Sequence, residues 1–298
     1  MMSDTPAADH KTRLQDPDLA GAWGWSWFIL PIVLFLVLFF LLPVLNLAEL
    51  SLRPHAGPGA VGEALTLANY MRFVTDPFYL GVLFDTAVIG LVVISICLVL
   101  AYPVAYVLAR TKSRFRGALI FIIIAPLLIS TVVRNLGWFP ILGGAGLINW
   151  ALLSTGLITE PLRLMNNTAG VIIALTHTFL PFMILALVTV IQRIGVELEE
   201  AARNLGAGPI ETFFRVILPL SRPGLMAGYL IVFTSVISAF TTPAMMGGRR
   251  VLVMSTLIEQ QMRSVLNYAM GATAAMLLMT MAAVLTVASL RRARKAGI

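Results

Sequence analysis

Long apolar stretches separated by polar segments are the dominant pattern of this chain. A helix rises 1.5 Å per residue, so roughly twenty apolar residues cross the ~30 Å hydrocarbon core of a bilayer. Prolines lie inside several stretches, which membrane bundles tolerate because neighbouring groups satisfy the freed carbonyls. The pattern predicts an all-α integral membrane protein with six transmembrane helices, at 27–47, 83–108, 117–137, 169–191, 223–245 and 270–290.

Composition agrees with this prediction. The chain is 59% hydrophobic and only 12% charged, whereas a soluble domain is about 25% charged. The first apolar stretch is too long for a signal-peptide core and no small-x-small cleavage site follows it, so we expect it to be retained. The single cysteine, Cys97, rules out an internal disulfide and offers no metal cluster, so no metal site is predicted.

The distribution of basic residues predicts the orientation. The net charge is +7, which would also suit a nucleic-acid partner. Most of the 21 basic residues, however, fall on short segments that share one side of the membrane if the N-terminus is cytoplasmic, which is the positive-inside bias. We therefore predict that both termini are cytoplasmic and that there is no nucleic-acid partner. The basic residues on that side are Lys11, Arg13, Arg110, Lys112, Arg114, Arg116, Arg193, Arg203, Arg215, Arg222, Arg291, Arg292, Arg294 and Lys295.

The same pattern divides the chain into four parts. Residues 1–24 are a polar cytoplasmic tail, and residues 25–82 hold the first transmembrane helix and an outer segment rich in proline and glycine. Residues 83–290 form the main transmembrane domain. Residues 291–298 are a basic cytoplasmic tail.

One polar segment, residues 195–222, interrupts the apolar pattern on the predicted cytoplasmic side. Residues 196–205 read as a short amphipathic helix, in which Glu199 and Arg203 are spaced to pair across one turn. Gly206 suits a left-handed C-terminal cap, and Pro209 suits the first turn of a second helix. From these residues alone, an ordinary inter-helix loop remains an alternative to a docking site.

Motif spacing favours the docking site. Glu200, Ala201 and Ala202 are followed after three residues by Gly206, and after nine more by Val216-x-Leu218-Pro219. This spacing resembles the EAA loop of permease subunits of binding-protein-dependent ABC importers, with Val216 where isoleucine is usual. The resemblance implies that this loop docks into a groove on a separate ATPase. The coupling residues that it implies are Glu200, Ala201, Ala202, Gly206, Ala207, Val216, Leu218 and Pro219.

From about Phe84 to Leu290 the chain is similar to the type I (MetI-like) ABC importer transmembrane domain. The residues from Ala101 to Tyr106, ending in Arg110, together with Val133-Arg134-Asn135, resemble the spermidine/putrescine-type permeases. The resemblance implies a bacterial plasma-membrane permease that works with a second permease in a heterodimer, two ATPase subunits and an extracytoplasmic solute-binding protein, surrounded by membrane lipid. Its solute would be a polyamine, or alternatively an opine, an aminophosphonate or another small polar compound. Asp85 departs from the asparagine common in relatives.

The sequence lacks residues that ion-coupled carriers and ATP-hydrolysing enzymes usually need. No carboxylate falls in the interior of a predicted span, and only Asp85, at the outer end of the second span, comes close, whereas ion-coupled carriers usually need intramembrane acids or histidines. His177 is the one candidate relay, and a hydrogen-bonded histidine inside a bundle is the favoured reading. No lysine follows a glycine as a P-loop requires. We therefore predict no enzyme activity in this chain, with ATP and Mg²⁺ bound by the partner ATPase. A non-transport membrane protein with six spans is the rival class.

A set of hydroxyl side chains in the fifth predicted span could line a path. Its spacing predicts one helical face. Small hydroxyl residues most often join membrane helices by close packing, so helix packing and a weakly polar translocation path are both open readings. The residues of this hydroxyl set are Thr234, Ser235, Ser238, Thr241 and Thr242.

Overall fold

The computed structural model describes residues 19–248 and 250–295, which are mainly helical. A small antiparallel hairpin, β1 His55–Gly57 and β2 Ala60–Val61, follows the first helix. The helices are α1 Leu19–Ser51, α2 Ala68–Thr75, α3 Pro77–Arg110, α4 Arg116–Ile124, α5 Thr131–Leu142, α6 Leu147–Ser154, α7 Thr168–Ile191, α8 Val196–Asn204, α9 Pro209–Thr212, α10 Leu218–Leu220, α11 Arg222–Ser238, α12 Met254–Glu259 and α13 Tyr268–Lys295.

The described part of the chain holds five segments that are long and apolar enough to cross a membrane. A sixth is obtained when Pro209–Leu220 and Arg222–Ser238, which are bent by 68° at their junction, are counted as one span. This range agrees with the six spans that the sequence predicts. The five segments are Ile29–Ser51, Pro77–Arg110, Thr131–Ser154, Thr168–Ile191 and Tyr268–Arg291.

The third predicted span, 117–137, was placed incorrectly. α4 passes into a short 3-10 turn at Ala125–Leu128, the chain then becomes extended at Ile129, and α5 begins at Thr131. Pro126 explains the break, because proline lacks the N–H that would continue the helix and its ring crowds the preceding turn. The segment in this region that is long and apolar enough to cross a membrane is instead Thr131–Ser154, formed by α5 and α6.

The fifth predicted span, 223–245, ends early. α11 stops at Ser238, because Ala239 adopts an extended backbone with ψ 121°. A separate π-helical turn then occupies Pro243–Gly247. The single helical face predicted for the hydroxyl set is therefore wrong beyond Ser238, since Thr241 and Thr242 follow the break.

α3, α7 and α11 pack into the main core of the unit that begins at Leu50. Small residues let these helices approach closely, as is usual where lipid supplies no hydrophobic drive between helices. A Cβ on Gly224 of α11 would lie 3.0 Å from Val190 of α7. A Cβ on Gly90 of α3 would lie 2.9 Å from the ring of Phe233. The three helices therefore form one tightly packed group.

α12 and α13 pack against α2 and the first turns of α3 in a second cluster. Its fully or almost fully buried members are Phe73, Met254, Leu257, Met270 and Ala274. Thr86 of α3 fixes the start of α12, because its hydroxyl accepts a hydrogen bond from the Met254 amide at 2.9 Å. This cluster lies at the opposite end of α3 from Arg110.

Candidate functional site

The polar segment 195–222, called the coupling loop below, folds as two helical arms. α8 forms the first arm. α9, the π-helical turn Phe213–Ile217 and α10 continue into one another and form the second. Pro209 occupies the first helical turn of this second arm, as the sequence predicts. The second arm then meets α11 at the 68° bend.

Gly206 closes α8 in the way that the sequence predicts. Its φ of +88° lies in the left-handed region that glycine adopts most easily. The Gly206 amide donates to the Arg203 carbonyl at 2.9 Å, and the Ala207 amide donates to the Ala202 carbonyl at 3.0 Å. These two bonds are the Schellman pattern, which satisfies carbonyls that the helix end leaves free. Gly206 thus sets the angle between the two arms.

The residues implied as ATPase contacts are distributed over exposed and half-buried positions. Glu200, Ala201 and Gly206 are exposed, whereas Ala202, Ala207, Val216, Leu218 and Pro219 are partly buried. Large apolar side chains of the same loop also remain uncovered. Leu205 is 90% exposed and Ile210 is 75% exposed. The loop therefore exposes both large apolar side chains and a carboxylate.

One face of α3 holds both arms of the coupling loop. Tyr102, Tyr106 and Arg110 are four residues apart, so they share a face of the helix. The Tyr102 hydroxyl is hydrogen-bonded to Ser221, at the end of the second arm. Its ring meets the Phe213 ring edge-on, with 4.8 Å between centroids. Tyr106 and Arg110 contact the first arm.

Glu199 is the residue of α8 that meets this face. Its carboxylate is 2.6 Å from an Arg110 guanidinium nitrogen and accepts a hydrogen bond from the Tyr106 hydroxyl at 2.7 Å. It is only 2% exposed. Removing one partner of such a buried pair typically costs about 3–5 kcal/mol, because the remaining charge is left uncompensated.

The predicted Glu199–Arg203 pair is present but is the weaker contact. Arg203 lies 3.9 Å from the carboxylate and its side chain is 59% exposed, so this pair contributes little. Sequence reasoning missed Arg110 as the main partner. The available signal was the recurrence of Tyr102, Tyr106 and Arg110 at intervals of four in an otherwise apolar helix.

The hydroxyl set divides into two groups. Thr234 and Ser238 donate to carbonyls of their own helix, at 2.7 and 2.6 Å. Ser235 lies between them and is partly buried. Thr242 is 2% exposed and bonds across the fold, accepting from the Asn135 amide at 3.2 Å. The helix break thus separates hydroxyls that face their own backbone from one that joins two elements.

A cavity of about 330 Å³ lies beside the two helix breaks. Arg134 brings a positive charge to the wall of this cavity. Among the described residues, no acidic side chain lies within ion-pair distance of Arg134. Its guanidinium donates to the Pro126 carbonyl at 2.7 Å and to the Thr131 hydroxyl at 3.2 Å. The lining therefore combines one cation with hydroxyls and aromatic rings. Its other members include Thr178, Phe179, Phe182, Phe240, Thr241 and Thr242.

His177 differs from its expected environment. The sequence favoured a hydrogen-bonded histidine, but its Nδ1 is buried without a hydrogen-bond partner among the described residues. The ring instead packs edge-on against Trp138, with 5.4 Å between centroids.

Asp85 is exposed and lies inside α3, since that helix begins at Pro77 rather than at the predicted 83. Neither Asp85 nor His177 joins the cavity lining described above.

Comparison with known proteins identifies the family. The family of binding-protein-dependent transport system inner membrane components matches residues 101–295. The chain belongs to this family. The permease is 36% identical to the spermidine/putrescine transport system permease protein PotB of Escherichia coli K12, over 82% of this chain and 88% of that relative. It is 32% identical to PotB of Haemophilus influenzae, over 79% and 82% of the two chains.

Solved structures share the fold of the permease. A bacterial ABC transporter involved in the import of the acidic polysaccharide alginate matches with a TM-score of 0.77, at 16% identity, over 93% of this chain and 97% of that one. The MetNI methionine ABC transporter in an inward-facing conformation matches with a TM-score of 0.55, at 19% identity, over 74% and 99%. The protein is a multi-pass inner-membrane permease subunit of an ABC importer with the type I fold.

Proposed function

We propose that the coupling loop of this permease docks onto a separate ATPase subunit that drives solute import. The exposed side chains of the loop support this proposal, because Leu205 and Ile210 are uncovered while Glu199 turns inward. Phe214 of the same loop is 59% exposed as well, and several exposed apolar side chains on one short polar loop are typical of a protein contact. Glu200 on the same loop is also exposed, available for a basic group on the partner.

The working unit that we propose contains this chain, a second permease, two ATPase subunits and an extracytoplasmic solute-binding protein. ATP and Mg²⁺ bind to the ATPase subunits. When the two ATPase subunits close on ATP, they draw the coupling loops together and open the permease pair outward. The binding protein then delivers solute, and ATP hydrolysis returns the pair to its starting state. Both termini lie in the cytoplasm in this arrangement, since the coupling loop must face the ATPase.

We propose a polyamine as the solute. The identity to PotB over most of both chains supports this choice. A solute with an anionic group, such as an opine or aminophosphonate, is the second candidate, and Arg134 is the observation that favours it. Its guanidinium lines the cavity without an acidic partner among the described residues, so an anion would be attracted there.

The test is purification of the tagged permease from its native membrane, followed by reconstitution in liposomes. We expect an ATPase and a second permease to copurify, and labelled spermidine or putrescine to accumulate only with ATP and the binding protein. Copurification without any ATPase would overturn the proposed coupling. Accumulation of an anionic solute in place of the polyamine would select the second candidate.

A further inference from the structure

We propose that Glu199, Arg110 and Tyr106 form a mechanical link that transmits movement of α8 to α3 and α7. These are positioning residues for transport rather than contacts of the ATPase. This inference rests on the proposed docking of the coupling loop. It adds a specific route by which that docking moves the membrane helices.

The geometry of this cluster joins three elements at one guanidinium. Arg110 is the last residue of α3, and its Nε donates to the Glu199 carboxylate of α8 at 2.8 Å. A second nitrogen of the same guanidinium donates to the Ile194 carbonyl at 3.0 Å, just beyond the C-terminal end of α7. Tyr106 adds a hydrogen bond from α3 to the other carboxylate oxygen. A planar guanidinium holds such contacts in a fixed geometry, which a lysine cannot do.

Burial makes this link stiff. The Glu199 side chain is 3% exposed and that of Arg110 is 17% exposed, so water screens their attraction less than at a surface pair. Separating the charges would leave both in a poorly solvated site. A displacement of α8 is therefore expected to carry α3 and α7 with it rather than to stretch the contact.

The remaining contacts along α3 lead from this link towards the cavity. α3 packs against α7 and α11 in the main core. α11 ends at Ser238, immediately before the segment whose Phe240, Thr241 and Thr242 line the cavity. A pull on α8 thus reaches the helices that border the cavity through packed side chains. The exposed pair Glu211–Arg215 on the second arm has no such connection, since its side chains are 42% and 78% exposed.

The test uses the complete complex in liposomes and measures the labelled spermidine accumulated per ATP hydrolysed. Glu199→Gln keeps the shape of the side chain and removes its charge. We expect this variant to retain its ATPase subunits and to hydrolyse ATP, while the transport ratio falls about tenfold, within the range typical of coupling between two sites. Tyr106→Phe, which removes only a hydroxyl, should lower the ratio less. Glu63→Gln, at an exposed position outside the coupling loop, is the control and should keep the wild-type ratio.

A double variant separates a mechanical role from simple neutralisation of buried charge. Arg110→Gln with Glu199→Gln leaves no unpaired buried charge. We expect its transport ratio to remain low because the guanidinium clamp is gone. Recovery of the wild-type ratio in the double variant would overturn the proposal, and so would a normal ratio in Glu199→Gln. Parallel loss of bound ATPase and uptake in all three variants would also overturn it, showing that the cluster only holds the fold.

The same preparations keep this proposal separate from the docking proposal. If the wild-type permease carries no ATPase, the proposed docking fails before any variant is considered. If the wild type carries an active ATPase and the variants transport normally, only the mechanical link fails.

Discussion

The coupling loop and the cavity lined by Arg134 differ in how their residues are brought together. In the loop, the cap at Gly206 and the turn at Pro209 are local features, set by neighbours within a few residues. The cavity instead needs two helix breaks, one after Pro126 and one at Ala239, which place Arg134 beside Thr242. A local motif can be recognised from a single sequence. A cavity that depends on two helix breaks can be recognised only once the fold is known.

The two regions also differ in whether their buried or half-buried charged side chain has a partner of opposite charge. The coupling loop pairs its buried carboxylate with Arg110 at 2.6 Å. The cavity holds Arg134, whose guanidinium donates to a carbonyl and a hydroxyl while its Nε has no hydrogen-bond partner among the described residues. A paired buried charge suits a rigid connection, while a cation at a cavity wall suits contact with a passing solute. The following substitutions test this contrast.

Gly206→Val is expected to have the largest effect, abolishing uptake while the protein still inserts in the membrane. A β-branched residue at φ +88° is strained by about 1–2 kcal/mol, and its side chain would project from the docking loop. Labelled-solute uptake and membrane abundance are the measurements. Gly117→Val is the matched control, because a Cβ there meets nothing within 4 Å and its φ is not positive. Normal uptake by Gly206→Val with its ATPase bound would contradict the docking assignment.

Thr242→Leu should reduce uptake by about tenfold without releasing the ATPase. The substitution removes the hydroxyl that Asn135 contacts at 3.2 Å, and an orphaned buried amide costs about 1–3 kcal/mol. Uptake and ATPase retention are measured on one preparation. Thr242→Ser keeps the hydroxyl and should be close to wild type.

Ser238→Leu provides the comparison within the hydroxyl set. Ser238 is exposed and bonds to its own helix, and leucine is compatible with a membrane helix. If the whole set lines the path, both leucine variants slow uptake. If it is only helix packing, loss of ATPase subunits precedes any loss of uptake.

The sequence predicts the loop better than the cavity for a physical reason. Gly206, Pro209 and the motif spacing act through local backbone geometry, so they can be recognised without the fold. Glu199 and Arg110 are separated by 89 positions, and nothing local identifies them as partners. The third and fifth spans were misplaced because hydropathy runs unchanged through Pro126 and Ala239, although the backbone breaks near both.

Arg134→Gln is expected to change uptake according to the charge of the solute. With a polyamine, removal of a like charge should raise uptake by about two- to fivefold, since repulsion in a solvated cavity is below ~1 kcal/mol. Arg72→Gln, an exposed arginine away from the cavity, is the control. Initial uptake rates of a polyamine and of an aminophosphonate are compared on the same vesicles. A fall confined to the anionic solute would favour the second candidate.

The smallest effect is expected from single cysteines that report orientation. Cys97 is buried in α3, so Cys97→Ala gives a background without reactive thiols. Glu160→Cys, near Arg163, and Asn204→Cys, beside Arg203, are at exposed positions. Because basic residues concentrate on cytoplasmic segments, an impermeant maleimide should label position 160 in intact cells and position 204 only after permeabilisation. The reverse pattern would invert the proposed topology and remove the coupling loop from the side on which ATP is available, even if every other substitution behaved as expected.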